Sequence, residues 1–253
     1  MCTRAVSALA HYLEEEDLAT VAISLIRPQT EKTKPPRALW VPFELGRPFG
    51  PPSDLSFQRR VVMTALKLLE RQEGPVLLED FPDDDPRWQP DPDWQRPFRP
   101  SEITNGGAEP LASPLETEVQ KLRGAHEDWT RHHRRTMVGV SGLAIAEVAH
   151  YIAEWLRGNE PESLRDGYSA PLLLRFAIDD LKAYALEAAA AGPAKPSSRQ
   201  LGDWLWDETA IGAAIHALRA ELMNSDDQRL RLIAENFIVP GARVRASGQR
   251  AAQ

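Results

Sequence analysis

Apolar residues at the start of the chain recur at helical spacing. Val6, Leu9, Ala10 and Leu13 fall at i, i+3, i+4 and i+7, so the spacing predicts a helix over 4–17 with these residues on one face. Thr3 stands where an N-cap is expected. The period then changes. Thr20-Val-Ala-Ile-Ser-Leu-Ile26 is a β-branched apolar run that reads as a buried strand, and Arg37-Ala-Leu-Trp-Val-Pro-Phe43, entered through Pro35-Pro36, reads as a second. Their unbroken apolar character suits strands covered on both faces, as in a parallel sheet. Phe57, Val61, Ala65 and Leu68 predict a helix over 56–71, and Val76-Leu77-Leu78 a short third strand. Helix, strand, loop, strand, helix is part of a doubly wound α/β layer. Such a layer normally opens on a strand, and here a helix comes first. The expected fold is therefore a partial doubly wound parallel sheet, truncated on its N-terminal side and followed by an all-α domain.

Between Pro75 and Pro114 the pattern is interrupted by nine prolines, together with Asp83-Asp-Asp85 and Asn105-Gly-Gly107. Proline at this density cannot sustain a helix or a central strand. Trp88, Trp94 and Phe98 mark the stretch as an arm that packs on a surface, because a free tether is poor in aromatics. Helical periodicity returns at Leu115, in segments 115–134, 142–157, 171–191, 198–223 and 226–235 separated by Gly, Pro and Ser. The expected organisation is a partial α/β domain over 1–80, a proline-rich arm over 81–114, a helical domain over 115–240 and a flexible tail over 241–253.

Composition narrows the classes. Of 253 residues, 37 are acidic and 30 basic, a net charge of −7 that gives no support to nucleic-acid binding. The basic cluster Arg131-His132-His133-Arg134-Arg135 is the local exception, able to meet an anion or simply to form a solvated helix surface. A single cysteine excludes an internal disulfide framework and a Cys-rich zinc site. No run of about 18 apolar residues predicts a membrane span, and the start lacks the order of a secretory signal, so a cytoplasmic location is expected. No glycine-rich phosphate loop, no Gly-x-Ser-x-Gly elbow and no His-Glu-x-x-His pair occurs, which argues against ATP-driven, serine-hydrolase and zinc-protease chemistry. No metal or other cofactor is called for.

Three groups carry candidate chemistry. Cys2 precedes the first predicted helix, where unpaired amides and the positive end of the helix dipole favour thiolate, with Arg4 adding charge nearby. Spacing alone favours the alternative, an incidental cysteine near the start of the sequence. Glu147-Val-Ala-His150 puts a carboxylate and an imidazole on one helical face, a spacing used by di-iron helical oxidases, although that design needs a second copy. Asp180, Tyr184 and Glu187 share a helical face, and Asp203, Trp204 and Glu208 follow in Asp203-Trp-Leu-Trp-Asp-Glu-Thr209. These six are candidates for a cleft in the helical domain, with structural capping and aromatic packing as the alternative.

Several stretches in order carry a resemblance: Cys2-Thr-Arg-Ala-Val-Ser-Ala-Leu-Ala-His-Tyr-Leu-Glu14, Ala19-Thr-Val-Ala-Ile23, Lys34-Pro-Pro-Arg-Ala-Leu-Trp-Val-Pro-Phe-Glu-Leu-Gly-Arg-Pro-Phe-Gly50 and Gln58-Arg-Arg-Val61. Over residues 2 to 80 the chain resembles the C-terminal part of the selenoprotein B subunits of the glycine, sarcosine, betaine and D-proline reductases, and their bacterial relatives. The stretches Arg135-Thr-Met-Val-Gly-Val-Ser-Gly142, Asp180-Leu-Lys-Ala-Tyr184 and 203–209 look like an extension found in some of those relatives. The resemblance implies that Cys2 stands at the position of the reactive selenocysteine or cysteine and attacks a substrate carbon activated on a partner subunit, with reductive cleavage of a C–N bond. It assigns Arg4, Arg37 and Gly46 to binding a small amino-acid-like substrate. It also implies a partner reductase subunit, or another chain, that supplies the strands missing before Cys2, and an external thiol in place of a second redox residue. The rival expectation is a non-catalytic interaction or ligand-binding protein.

Overall fold

The computed structural model describes residues 2–85, 90–98, 109–241 and 243–244. The side chain of Cys2, Trp88, Asn105-Gly-Gly107 and the tail beyond 244 lie outside the described residues. The fold is mixed α/β, with a small three-stranded parallel sheet and several helices. The chain divides into two compact units, residues 1–89 and 90–253.

In the first unit the order is α1 (Cys2–Glu15), β1 (Ala22–Ser24), α2 (Arg27–Thr33), β2 (Arg37–Trp40), α3 (Leu55–Lys67), a 3-10 turn and β3 (Leu77–Asp80). The strands pair in parallel in the order β1-β2-β3, with Ile23 opposite Leu39 and Leu39 opposite Glu79. All three expected strands are present; β1 and β2 are shorter than their apolar runs, while β3 starts one residue after Val76 and continues through Glu79 and Asp80. Helix α2 was not expected from periodicity. Its only strong local signals are Pro28 in the first turn and Lys34, which ends it in a left-handed conformation (φ 45°). Leu39 and Val41 pack with Phe57, Val61 and Ala65 of α3, while on the alternate side of β1 Ser24 meets Thr30 of α2. Phe43, Phe57 and Phe81 close this core with ring centroids 5.5 to 5.8 Å apart. Gly50 (φ +81°) is required here, because a Cβ would lie 2.5 Å from the Phe57 ring.

Helix α1 departs from its expected orientation. Ser7 and Ala10 are buried, and Val6, Leu9 and Tyr12 are exposed, Leu9 by 55% and Tyr12 by 62%. The reason lies in its contacts with α2. The Thr33 hydroxyl donates to Ser7 Oγ at 2.9 Å, and the His11 ring meets the Thr33 carbonyl at 3.0 Å, so the small polar edge of α1 faces α2. At the other end Arg37 donates to Glu14 at 2.6 Å. Arg37 opens β2, so α1 ends beside the amino ends of the strands and begins near their carboxyl ends.

The second unit contains α4 (Ala112–His133), α5 (Ile145–Leu156), α6 (Ala170–Ala189), α7 (Ser198–Glu208), α8 (Ala210–Leu222) and α9 (Gln228–Asn236) around one core that includes Leu115, Leu122, Ile152, Leu174, Ile178, Trp204 and Ile215. The single helix expected over 198–223 is two. Thr209 adopts an extended conformation between them, accepts from the Gly212 amide at 2.9 Å and donates to the Leu205 carbonyl at 2.6 Å. A capping threonine explains the break, which apolar periodicity does not show. Residues 90–98 lie against this unit: Trp94 Nε1 donates to the Ala189 carbonyl at 2.9 Å, and the Phe98 ring meets Trp204 edge-on at 5.8 Å.

Candidate functional site

In the first unit a cavity of about 580 Å³ lies at the first turns of α1, lined by Thr3, Arg4, Ala5, Ala8, Ile26 and Gln29. Ile26 and Gln29 follow the carboxyl end of β1, so the cavity sits where open parallel sheets hold ligands. Cys2 is the first residue of α1, one position before Thr3. Arg4 is exposed and has no ion pair or hydrogen bond among the described residues. The structure brings Arg4 and the start of α1 together and places Arg37 elsewhere, against Glu14 at the amino end of the sheet. Burial acts to raise the Glu14 pKa, but the Thr20 amide, the Arg37 guanidinium and the Thr20 hydroxyl outweigh it, and the carboxyl is held below its usual value. Gly46 (φ +89°) turns the loop after β2.

The acidic candidates of the second unit are committed to its own backbone and to neighbouring arginines. Asp180 is fully buried and accepts the amides of Gly139, Val140 and Ser141 at 2.7, 2.9 and 2.9 Å, together with the Ser141 hydroxyl. Glu187, two turns further along the same face of α6, accepts from Thr136 Oγ1 at 2.6 Å and the Met137 amide at 2.7 Å, and pairs with His126 at 2.9 Å. Two carboxylates thus fasten the loop 136–141, and Arg165 donates to the carbonyls of Val140 and Ser141 from outside. Tyr184 lies between them on α6, donates to the Val119 carbonyl at 2.9 Å and packs on His126; burial pushes its pKa to about 12. Asp203 pairs with Arg243 at 2.7 Å, and Glu208 pairs with Arg96 of the arm at 2.7 Å. Trp204 is fully buried, with Nε1 unpartnered.

Glu147 accepts from the Ala144 amide at 2.8 Å and so caps its own helix, while His150 is exposed with its ring 3.4 Å from Glu116. Among the described residues no group of three or more His, Cys, Asp or Glu is placed to hold a metal ion. No helix of the described residues is long and apolar enough to cross a membrane.

Two positions escape sequence reasoning. Glu118 of α4 is fully buried and accepts the Ile211 amide at the start of α8 at 3.0 Å, with its second oxygen unpartnered; burial raises its pKa, and the amides of Ala210 and Ile211 oppose the shift. Ser141 carries half of the Asp180 arrangement. The only signal for the latter is the glycine at 139, which the loop needs at φ +126°. Nothing in the sequence around Glu118 separates it from a surface acid. No protein-family model, curated protein or solved structure matches this chain.

Proposed function

We propose that this chain is a subunit of a thiol-dependent reductase of the selenoprotein B type, with Cys2 as the nucleophile toward a small amino-acid-like substrate. The carrying observation is the 580 Å³ cavity at the first turn of α1, bordered by Arg4, which has no ion pair among the described residues. An amide-rich helix start and a guanidinium both favour thiolate over thiol, and Arg4 offers a counter-charge to a substrate carboxylate. Cys2 forms a C–S bond as the substrate C–N bond breaks and the amine departs. An external thiolate then attacks the Cys2 sulfur, the C–S bond breaks and the carbon takes a proton. A second external thiol resolves the mixed disulfide, so that two external thiols end as one disulfide and Cys2 is restored, the chain itself having one cysteine. Such a cycle belongs in the reducing cytoplasm.

The exposed stripe of Val6, Leu9 and Tyr12 on α1 supports the partner half of this reading. Strand β1 is an edge of the sheet, and a doubly wound layer is completed when strands from a partner subunit or another chain extend it. A second reading, a non-catalytic interaction protein, draws on the second unit, where the acidic candidates hold the loop 136–141 or pair with arginines.

The test is alkylation of Cys2 by iodoacetamide across pH in the assembled complex. Rapid modification well below the ordinary thiol range of about 8.5 is expected. A profile like that of free cysteine overturns the reading, as does unchanged turnover in Cys2→Ser.

A further inference from the structure

A second cavity, outside the α1 site, lies at the common end of α4 and α6. It measures about 750 Å³ and is bounded by Trp129, Arg131, His132 and His133 on one side and by residues 190–196 on the other. Its two walls differ in character. The 190–196 wall presents Ala190, Ala191, Pro193 and Pro196, a small-residue apolar surface stiffened by two prolines, with the exposed ammonium of Lys195 among them. The α4 wall presents one guanidinium and two imidazoles. Asp128 is the single acid in the lining, and it is paired with Arg131 at 2.5 Å.

Two helix C-termini would ordinarily oppose an anion. Here many of their carbonyls are already taken. The carbonyls of Glu187, Ala188 and Ala189 accept from Ala190, Ala191 and Trp94, and those of Trp129 and Thr130 accept from the His133 ring and the Arg134 amide. The surplus at this end consists of hydrogen-bond donors. Lys195 has no side-chain partner among the described residues. Trp129 Nε1 is buried and unpartnered, as is the Thr130 hydroxyl. The carboxylate of Asp91 accepts the Lys195 backbone amide at 2.7 Å and leaves the ammonium free of it, and the neighbouring Arg134 and Arg135 have no ion pair among the described residues.

We infer that this cavity binds a small phosphate monoester. The phosphate lies toward Lys195, Arg131 and His132, and the organic part lies along the alanine–proline wall. The volume supports a ligand larger than the anion alone, since pockets of several hundred Å³ hold molecules of drug or nucleotide size. A phosphate oxygen array accepts several donors at once, which matches the surplus. The inference does not depend on Cys2 or on the proposed reductase activity.

Calorimetric titration of the full chain with phenyl phosphate, inorganic phosphate and phenol tests it. Phenyl phosphate is expected to bind at least tenfold more tightly than either fragment, and Lys195→Glu to weaken it tenfold or more. Lys195 is exposed, so the variant is expected to keep the wild-type circular dichroism spectrum, and His132→Gln provides a second, milder loss. Arg59→Gln, at an exposed position of the other unit, is expected to leave phenyl phosphate binding unchanged. Absence of binding, equal weak binding of phenyl phosphate and phosphate, or binding indifferent to Lys195→Glu overturns the inference.

Discussion

Ser141 donates both its backbone amide, at 2.9 Å, and its hydroxyl to the same oxygen of Asp180. Gly139 and Val140 donate to the other oxygen, so one buried carboxylate collects three consecutive amides and a hydroxyl from the loop between α4 and α5. The charge is buried yet satisfied, which is the condition under which a carboxylate is tolerated in a core. Met137, in the same loop, stays 76% exposed. The loop is therefore fixed by its backbone while an apolar side chain projects outward.

Removing that anchor leaves buried donors without partners. Asp180→Ala is expected to destabilise the protein by about 3 kcal/mol. Urea unfolding measures the loss, and hydrogen exchange at residues 139–141 is expected to accelerate more than exchange in the α4 and α6 cores. Exchange that stays slow at those three amides contradicts the anchoring role.

Glu118 predicts a dependence on acidity. Its folded pKa is raised by burial, so the native state binds its proton more tightly than the unfolded chain does. The associated stability is fully present below the ordinary value of about 4.5 and is lost as pH rises through the raised one. Glu118→Gln keeps an acceptor for the Ile211 amide and removes the ionisation. The wild type should lose stability as pH rises from the ordinary carboxylate value through the raised one, and the variant should lose less of it. Parallel pH profiles for the two proteins would count against burial of an ionisable group at this position.

Tyr184 sets the behaviour at the alkaline end. With a folded pKa near 12 against about 10 unfolded, its contribution is present below pH 10 and lost as pH rises through 12. The window corresponds to something on the order of 2 kcal/mol. Tyr184→Phe is expected to be less stable at neutral pH, through the lost bond to Val119, but to show a shallower alkaline decline. Unfolding followed by circular dichroism against pH separates the two effects.

Gly212 is fixed by a close approach. A Cβ there would lie 2.1 Å from the Leu205 carbonyl oxygen, in the tight junction between α7 and α8 made by Thr209. Gly212→Ala is expected to lower stability by about 2 kcal/mol or more, despite the higher helix propensity of alanine. A melting temperature equal to wild type would show that the two helices can separate freely.

How much of this was legible beforehand differs by element. The runs at 20–26 and 37–43 contain parallel strands, because a strand covered on both faces leaves an unbroken apolar signature. The stripe of Phe57, Val61 and Ala65 fixed the buried face of α3 in the same way. For α1 the stripe was equally clear and the buried face was different, since periodicity says which residues share a face and not which neighbour is present to cover it. Thr209 hid a helix boundary because its capping role depends on φ and ψ at one residue. The acids of α6 were visible as one polar face, but only the return of the 136–141 loop over Asp180 and Glu187 decided that they would hold backbone amides.

The sequence by itself determined the mixed α/β then helical order, the strands, most helices and the position of Cys2 at a helix start, because these follow from local periodicity and local capping. Tertiary structure alone decided that Val6 and Leu9 of the α1 stripe face outward while Ala10 is buried, that Glu118 is buried at the start of α8 and that Asp180 is encased by amides. Those outcomes depend on contacts between residues far apart in the chain, and no local pattern encodes which distant groups meet.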